Sequence, residues 1–267
     1  MGTAYRGTDG ADESGGDVGL SAVARLLAES RPVVALTGAG ISVPSGIPDF
    51  RSKGGLWSRY DIEEYATAHA FGRHPRKCWR LFEELSSLLG SARPNPAHEA
   101  LARLERLGVL DAVVTQNIDN LHQEAGSRNV VEFHGSGAAL SCLSCGARHG
   151  AAEADRLRDA EGIPLCRCGA VLKPDIVLFG EPIPEQAMEA AQRLAGEARA
   201  ILVVGTSATV MPAALLPRVV ASRGGAIIEM NLTRTELSRY ARVRIEGDVA
   251  VTLPALADHI EAQLARR

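Results

Sequence analysis

Val33-Val34-Ala35-Leu36-Thr37-Gly38-Ala39-Gly40-Ile41-Ser42, followed by Ser45-Gly46-Ile47-Pro48-Asp49-Phe50-Arg51, decides the reading of this chain. The apolar run 33–36 predicts a strand buried on both faces, as in a parallel sheet. A strand that ends in Gly-Ala-Gly lets backbone approach a pyrophosphate closely. Asp49, Phe50 and Arg51 then add a carboxylate, an aromatic face and a guanidinium to the same loop. Taken alone, the 38–40 loop has a tight strand-to-helix turn as its lesser alternative. Val43 stands where the dehydrogenase fingerprint has its third glycine, and no clear acid follows a second strand to bind a ribose.

Similar short apolar runs recur at 112–114, 130–133, 176–178, 201–204 and 226–228. Between them, helical spacing or helix-end signals predict helices at 18–29, 77–89, 96–107, 184–199, 211–223 and 254–266. Strands alternating with helices predict an α/β fold built on an open, mostly parallel sheet. Each strand is followed by a polar cluster. These are Thr37 to Gly40, Thr115-Gln116-Asn117-Ile118-Asp119, His134-Gly135, Phe179-Gly180-Glu181, Gly205-Thr206-Ser207 and Asn231. Ligands bind at the C-terminal edge of such sheets, so six clusters on one edge predict a site there.

The 267 residues suffice for one large domain, or for one domain with a small insert, and 46% hydrophobic residues supply a core. A net charge of −3 gives no reason to expect nucleic acid or an anionic membrane as a partner. Lys53, Lys77 and Lys173 are the only lysines, which reads as composition bias. No apolar run reaches the ~18 residues of a membrane span. Residues 1–17 are rich in Gly, Asp, Thr and Ser and lack an apolar core segment, so they are expected to form a disordered tail rather than a secretory signal. A cytoplasmic protein is the expectation, with a monomer as the default.

Four of the five cysteines form two close pairs, Cys142/Cys145 and Cys166/Cys168. In a reducing compartment such pairs predict metal, here a closed four-thiolate zinc site of structural type, with a redox pair as the alternative. The second pair has one intervening residue where two are usual. Cys78 is unpaired and expected in the core. Asn117 and Asp119, at i and i+2 after a strand, suit an amide and a ribose hydroxyl, or equally an Asx-turn capping the next helix. His134 suits a general base by its pKa. A lone histidine after a strand is more often structural. The other histidines lack comparable support, and His122 reads as orienting a turn.

The whole string from Gly38 to Arg51 resembles the first signature of the sirtuins, the NAD-dependent protein deacylases. Thr115 to His122 resembles the second, and the resemblance runs from about residue 20 to 264. It implies a large Rossmann-like domain formed by 18–52, 77–137 and 173–267. A cofactor-binding loop with small-domain helices at 53–76 and a zinc-binding module at 138–172 complete the implied organisation. It implies catalytic roles for His134, Asn117 and Asp119. NAD contacts follow at Gly38, Ala39, Gly40, Ser42, Asp49, Phe50, Arg51, Trp57, Gln116, Ile118, Gly205, Thr206, Ser207, Asn231, Leu232 and Val249, as well as at Asn117 and Asp119. Acyl-peptide contacts follow at Val177, Phe179, Gly180 and Glu181. Zinc falls to Cys142, Cys145, Cys166 and Cys168.

The implied reaction transfers the acyl group of a protein lysine to the ADP-ribose of NAD, releasing nicotinamide and O-acyl-ADP-ribose, with His134 taking a proton from a ribose hydroxyl. Desuccinylating relatives carry a Tyr-x-x-Arg pair for the acyl carboxylate. The matching positions here are Phe82 and Leu85, so acetyl and other uncharged acyl groups are expected. A protein ADP-ribosyltransferase on the same scaffold is the alternative, disfavoured by His134. A dehydrogenase is disfavoured by the missing fingerprint, and turnover would separate either from a module that merely binds NAD.

Overall fold

The structure is a computed structural model that describes residues 17–49 and 55–266. Its strands are β1 (Val33–Thr37), β2 (Ala112–Thr115), β3 (Val130–Glu132), β4 (Gly135–Ser141), β5 (Arg148–Gly150), β6 (Lys173–Ile176), β7 (Ala200–Val204), β8 (Ala226–Asn231) and β9 (Val243–Glu246). Six of them make one sheet in the order β3-β2-β1-β7-β8-β9, and every pairing is parallel. Counted within that sheet alone, the order is 3-2-1-4-5-6, that of a doubly wound dinucleotide-binding sheet, with the reversal between β1 and β7.

The alternation of side chains explains the two cores. Val33, Ala35, Val113, Leu202, Val204, Ile228 and Ile245 point to one face. There they meet the helix Asp17–Glu29, whose Leu20, Val23, Ala24 and Leu27 form a stripe of helical period, and the helices Pro96–Arg106 and Val249–Leu264. Val34, Leu36, Ala112, Val114, Ile201, Val203 and Ile227 point to the other face, against the helices Glu185–Glu197 and Leu216–Ser222. Leu202 has no exposed surface, and truncating such a residue to alanine costs about 2–5 kcal/mol.

A third core forms the small module. The helix Pro75–Ser91 buries Cys78, Trp79, Leu81, Phe82 and Leu85 there, beside Leu140, Cys142, Cys166, Leu172 and Ile176. This helix therefore packs with the zinc segment, although its place in the sequence grouped it with the larger domain. The module's sheet is three-stranded and antiparallel, in the order β5-β4-β6.

Several expected boundaries differ. The run 176–178 was expected as a strand of the parallel sheet. The strand there is instead β6, which ends at Ile176 and pairs with β4 in the small sheet. The sixth strand of the main sheet is β9, whose short Val-Arg-Ile-Glu pattern gives no continuous apolar run. The last helix starts at Val249 rather than Pro254, because the Asp248 carboxylate accepts the Ala250 N–H as its cap. The expected helix 211–223 becomes a 3₁₀ turn, Ala213–Leu215, and then the α-helix Leu216–Ser222, with Pro217 in the favoured first turn. Of the expected tail, only Asp17 lies within the described residues, where it begins a helix. Among the described residues no helix is long and apolar enough to cross a membrane.

Candidate active site

The loops after β1 and β7 touch at the reversal point of the sheet. Gly40 N–H donates to the Gly205 carbonyl at 2.8 Å. Gly205 has φ +58°, and a Cβ there would lie 2.4 Å from the Ile41 nitrogen. A Cβ on Gly40 would lie 2.7 Å from the Gly205 oxygen. The approach therefore exists only because neither residue has a side chain. Gly38 and Ala39 lead into this contact, and Ala39 opens the 3₁₀ turn Ala39–Ile41.

Gln116, just past β2, ties the edge together. Its N–H donates to Thr37 O at 3.0 Å, and its side-chain amide donates to Thr206 Oγ1 at 2.9 Å. Asn231, at the end of β8, donates to Thr206 O at 3.1 Å. Clusters from β1, β2, β7 and β8 thus share one hydrogen-bonded rim.

Behind that rim lies a buried polar layer. Ser42 is 1% exposed; its hydroxyl donates to Asp119 Oδ2 at 2.6 Å and accepts from Asn117 Nδ2 at 3.0 Å. Asn117 Nδ2 also donates to Gly38 O at 3.2 Å. Asp119 Oδ1 accepts the Leu121 N–H at 3.0 Å, so Asp119 caps the helix Leu121–Glu124 while it holds Ser42. The turn-capping reading of this residue is thus observed, and both carboxylate oxygens are engaged within the chain.

The sequence reading passed over His98. Its Nε2 lies 3.4 Å from Ser42 Oγ, and its Nδ1 accepts the Asn95 N–H in a capping box at the start of the helix Pro96–Arg106. His122 Nε2 lies 2.9 Å from Thr37 Oγ1, and the two imidazoles meet edge to face at 4.9 Å. Burial pushes His98 down to about 4, against the pull of Asp119, and pushes His122 down to about 3. Both rings are neutral at pH 7. The spacing of Asn95 and His98 was the signal available in the sequence.

His134 follows β3. Its Nδ1 lies 3.0 Å from the Gln116 main-chain oxygen, so a neutral ring carries its proton on Nδ1 and its lone pair on Nε2. Burial lowers its pKa below the ordinary histidine value, opposed by that bond. Gly135 pairs with Ile176 at φ +76°, where a Cβ would stand 2.1 Å from Asp175 O. Val177 N–H donates to His134 O at 2.8 Å. The segment after β6 is thereby laid beside the histidine.

That segment continues against residues 66–68. Phe179 N–H donates to Ala66 O and Phe179 O accepts from Ala68 N–H, both at 2.9 Å. The Phe179 ring, 39% exposed, meets Trp57 edge-on at 6.0 Å. Gly180 is exposed at φ +84°. Glu181 turns inward: its Oε2 accepts the Leu178 N–H at 2.9 Å and lies 3.0 Å from Lys173 Nζ. Buried Lys173 also donates to Ile176 O at 2.7 Å. Neither Lys173 nor the Ala66–Ala68 partner was singled out from sequence, since the first is defined by its ion pair with Glu181 and the second by main-chain bonds to Phe179, both made only on folding.

The remaining expected residues are spread out. Asp49 O accepts the Leu56 N–H at 3.1 Å. Phe50 and Arg51 lie outside the described residues. Ile118 packs against the small-module core. Ser207 and Leu232 are exposed, and Ser207 Oγ lies 3.0 Å from Thr209 Oγ1. The Val249 side chain is buried in the main core, which leaves only its backbone to meet a ligand.

The four cysteine sulfurs lie within 4.8 Å of one another, with Cys142 and Cys168 at 3.5 Å and Cys145 and Cys166 at 3.6 Å. A tetrahedral zinc with Zn–S near 2.3 Å places its sulfurs about 3.8 Å apart, so the set fits one closed structural ion. The short second pair does not prevent this. In the first knuckle Cys142 N–H donates to Ala147 O and Cys142 O accepts from Gly146. In the second, Cys166 N–H donates to Ala170 O and Cys166 O accepts from Gly169. The same hairpin closes one residue sooner.

The sequence profile of the Sir2 family matches residues 38–212. An NAD-dependent protein deacylase of Thermococcus kodakarensis is 47% identical over 253 residues, 93% of this chain and 98% of that protein. NAD-dependent protein deacetylase 1 of Pyrobaculum aerophilum is 44% identical over 246 residues, 92% of this chain and 96% of that protein. A solved complex of a Sir2 homologue with NAD has a TM-score of 0.84 at 43% identity, covering 91% of this chain and 94% of that one. A Sir2 protein bound to a myristoylated histone peptide has a TM-score of 0.80 at 36% identity, covering 94% of this chain and 100% of that one. The six-stranded order, the linked signature loops and the four-thiol cluster agree with these likenesses, and the chain belongs to the Sir2 family.

Proposed function

We propose that this chain removes acetyl and other uncharged acyl groups from protein lysines, consuming NAD and releasing nicotinamide and O-acyl-ADP-ribose. The observation that carries the reading is the position of Gln116. Its carbonyl holds His134, its amide holds Thr206 and its N–H holds the end of β1. One residue thus registers the general base against the nucleotide-binding rim. The deacylase and deacetylase names of the relatives support the same activity.

In this reading the 38–40 and 205–206 loops approach the phosphates through backbone, and Asn231 orients Thr206 on the adenosine side. Asn117 and Asp119 stand where positive charge develops as the glycosidic bond breaks, and Ser42 fixes both. His134 Nε2 takes the ribose hydroxyl proton. Gly180 and its neighbours offer backbone to an extended peptide, so peptide sequence preference is loose. Zinc, when bound, supplies no reactive position; its four thiolates close the shell and hold the small module.

The test is mass spectrometry of an acetyl-lysine peptide incubated with the protein, with and without NAD. NAD-dependent loss of acetyl, with nicotinamide and O-acetyl-ADP-ribose formed together, is the expected result. Nicotinamide release with the peptide still acetylated would replace this reading with ADP-ribosyl transfer or NAD hydrolysis.

A further inference from the structure

The small module contains a buried histidine that the chemistry at the sheet edge does not use. His149 is the middle residue of β5, 5% exposed, and is paired with Leu140 of β4. Strand alternation turns Arg148 and Gly150 outward and His149 inward. Its Nε2 lies 3.6 Å from Cys166 Sγ. Its Nδ1 lies 3.2 Å from Glu153 Oε1 without making a hydrogen bond. Glu153 also meets Arg167 at 3.1 Å, and Arg167 is the residue between Cys166 and Cys168. The contacts leave the second knuckle at Cys166 and return to it at Arg167.

Main-chain N–H groups of Cys145 and Ser144 face the Cys142 sulfur, and that of Ala147 faces Cys145. The second knuckle is one residue shorter, and an imidazole faces its first sulfur. Four thiolates on one Zn²⁺ carry a net charge of −2, which N–H donors to sulfur disperse. If only volume were needed at position 149, a leucine or phenylalanine would fill it without burying two polar nitrogens.

We infer that His149 donates its Nε2 hydrogen to the Cys166 thiolate and so holds the shortened knuckle on the metal. The inference rests on the four-cysteine zinc assignment. His149 is a positioning residue here, since it touches neither substrate nor metal.

The experiment compares wild type with His149→Phe, which keeps bulk and loses the donor, and His149→Gln, which keeps a donor. Zinc content is measured first, by elemental mass spectrometry. The rate of zinc transfer to an excess of a chromogenic chelator is measured next, then the sulfur-to-metal charge-transfer band of the cobalt-substituted proteins. Wild type is expected to hold one zinc per chain. His149→Phe should release it at least about tenfold faster and shift the band to lower energy. His149→Gln should recover most of both losses.

Equal release rates and an unmoved band in His149→Phe would overturn the inference. So would a His149→Gln protein as leaky as His149→Phe, because that outcome describes packing. Wild type without zinc would overturn the metal assignment itself, a separate result. If His149→Phe does not fold, His149→Leu makes the same comparison with a smaller apolar side chain, and release unchanged from wild type would count against the inference.

Discussion

His134 Nδ1 lies 3.0 Å from the main-chain oxygen of Gln116, so the loop after β2 selects the tautomer of the histidine that follows β3. With Nδ1 bound to a carbonyl, the basic lone pair is on Nε2. Burial then holds the imidazole below its ordinary pKa of about 6.5. The acid limb of kcat/KM for an acetyl-lysine peptide is therefore expected below pH 6.5. A pH–rate profile with an acid limb above 7 would contradict the assignment. His134→Ala should reduce turnover by a factor of about 10² to 10⁴, the usual worth of a general base, while leaving NAD affinity nearly unchanged.

Asp119 is bound on both oxygens, by Ser42 and by the Leu121 N–H. Asp119→Asn puts an amide donor against one of these two donors. The Ser42–Asn117 geometry then relaxes, and turnover is expected to fall by at least about a hundredfold. The melting temperature should fall by only a few degrees, because the change cuts one helix cap worth about 1 kcal/mol. Steady-state kinetics and a thermal scan on the same preparation separate the two effects. An Asp119→Asn enzyme of wild-type activity would remove Asp119 from the reaction.

His98 and His122 make folding sensitive to acid. Their folded-state values are about 4 and about 3, below an unfolded value near 6.5. As pH falls through 6.5 the unfolded chain takes up protons that the folded chain refuses, so stability is full above that pH and declines below it. The pair should cost about 2–3 kcal/mol between pH 6 and pH 5. Denaturant unfolding at the two pH values measures the slope, and His122→Gln should roughly halve it. A flat profile would show that the rings can ionise in place.

The parallel sheet was readable because its central strands are continuous apolar runs. Val33 to Leu36 and Ile201 to Val204 have no solvent face to interrupt them. The edge strand β9 was not readable, since a half-exposed strand of four residues carries two charges. The 176–178 run looked like another parallel strand because three apolar residues in a row, the last of β6 and the two after it, carry the signal of a buried strand. Partner choice depends on β4, far away in sequence. The signature loops announced their residues but not their division of labour. Ser42 reads as a ligand contact, and its hydroxyl also joins Asn117 to Asp119, which only three-dimensional proximity reveals.

Phe82 and Leu85 are 4% and 7% exposed and lie within an apolar cluster, with Phe82 against Trp79 at 5.5 Å. Neither can answer a carboxylate, and an unpaired buried charge costs several kcal/mol. A succinyl-lysine peptide is therefore expected to react at least about a hundredfold more slowly than its acetyl counterpart, by kcat/KM. A faster succinyl reaction would end the claim of an uncharged acyl preference.

Lys173 and Glu181 set the shape of the segment expected to receive the peptide. Lys173 Nζ donates to Ile176 O at 2.7 Å and lies 3.0 Å from Glu181 Oε2, which accepts the Leu178 N–H. The two side chains are 8% and 22% exposed, so the pair is shielded from solvent. Lys173→Met keeps the apolar stem, removes the donor and leaves a carboxylate partly buried without its partner, at a cost of about 3–5 kcal/mol. Residues 176–181 then lose two anchors while the nucleotide rim keeps all of its own. KM for the acetyl-lysine peptide is expected to rise at least about tenfold, with KM for NAD within about twofold of wild type. The double variant Lys173→Met/Glu181→Leu removes the stranded charge and should recover stability without recovering peptide KM. Equal rises in both KM values would mean that the pair supports the whole site rather than the peptide segment.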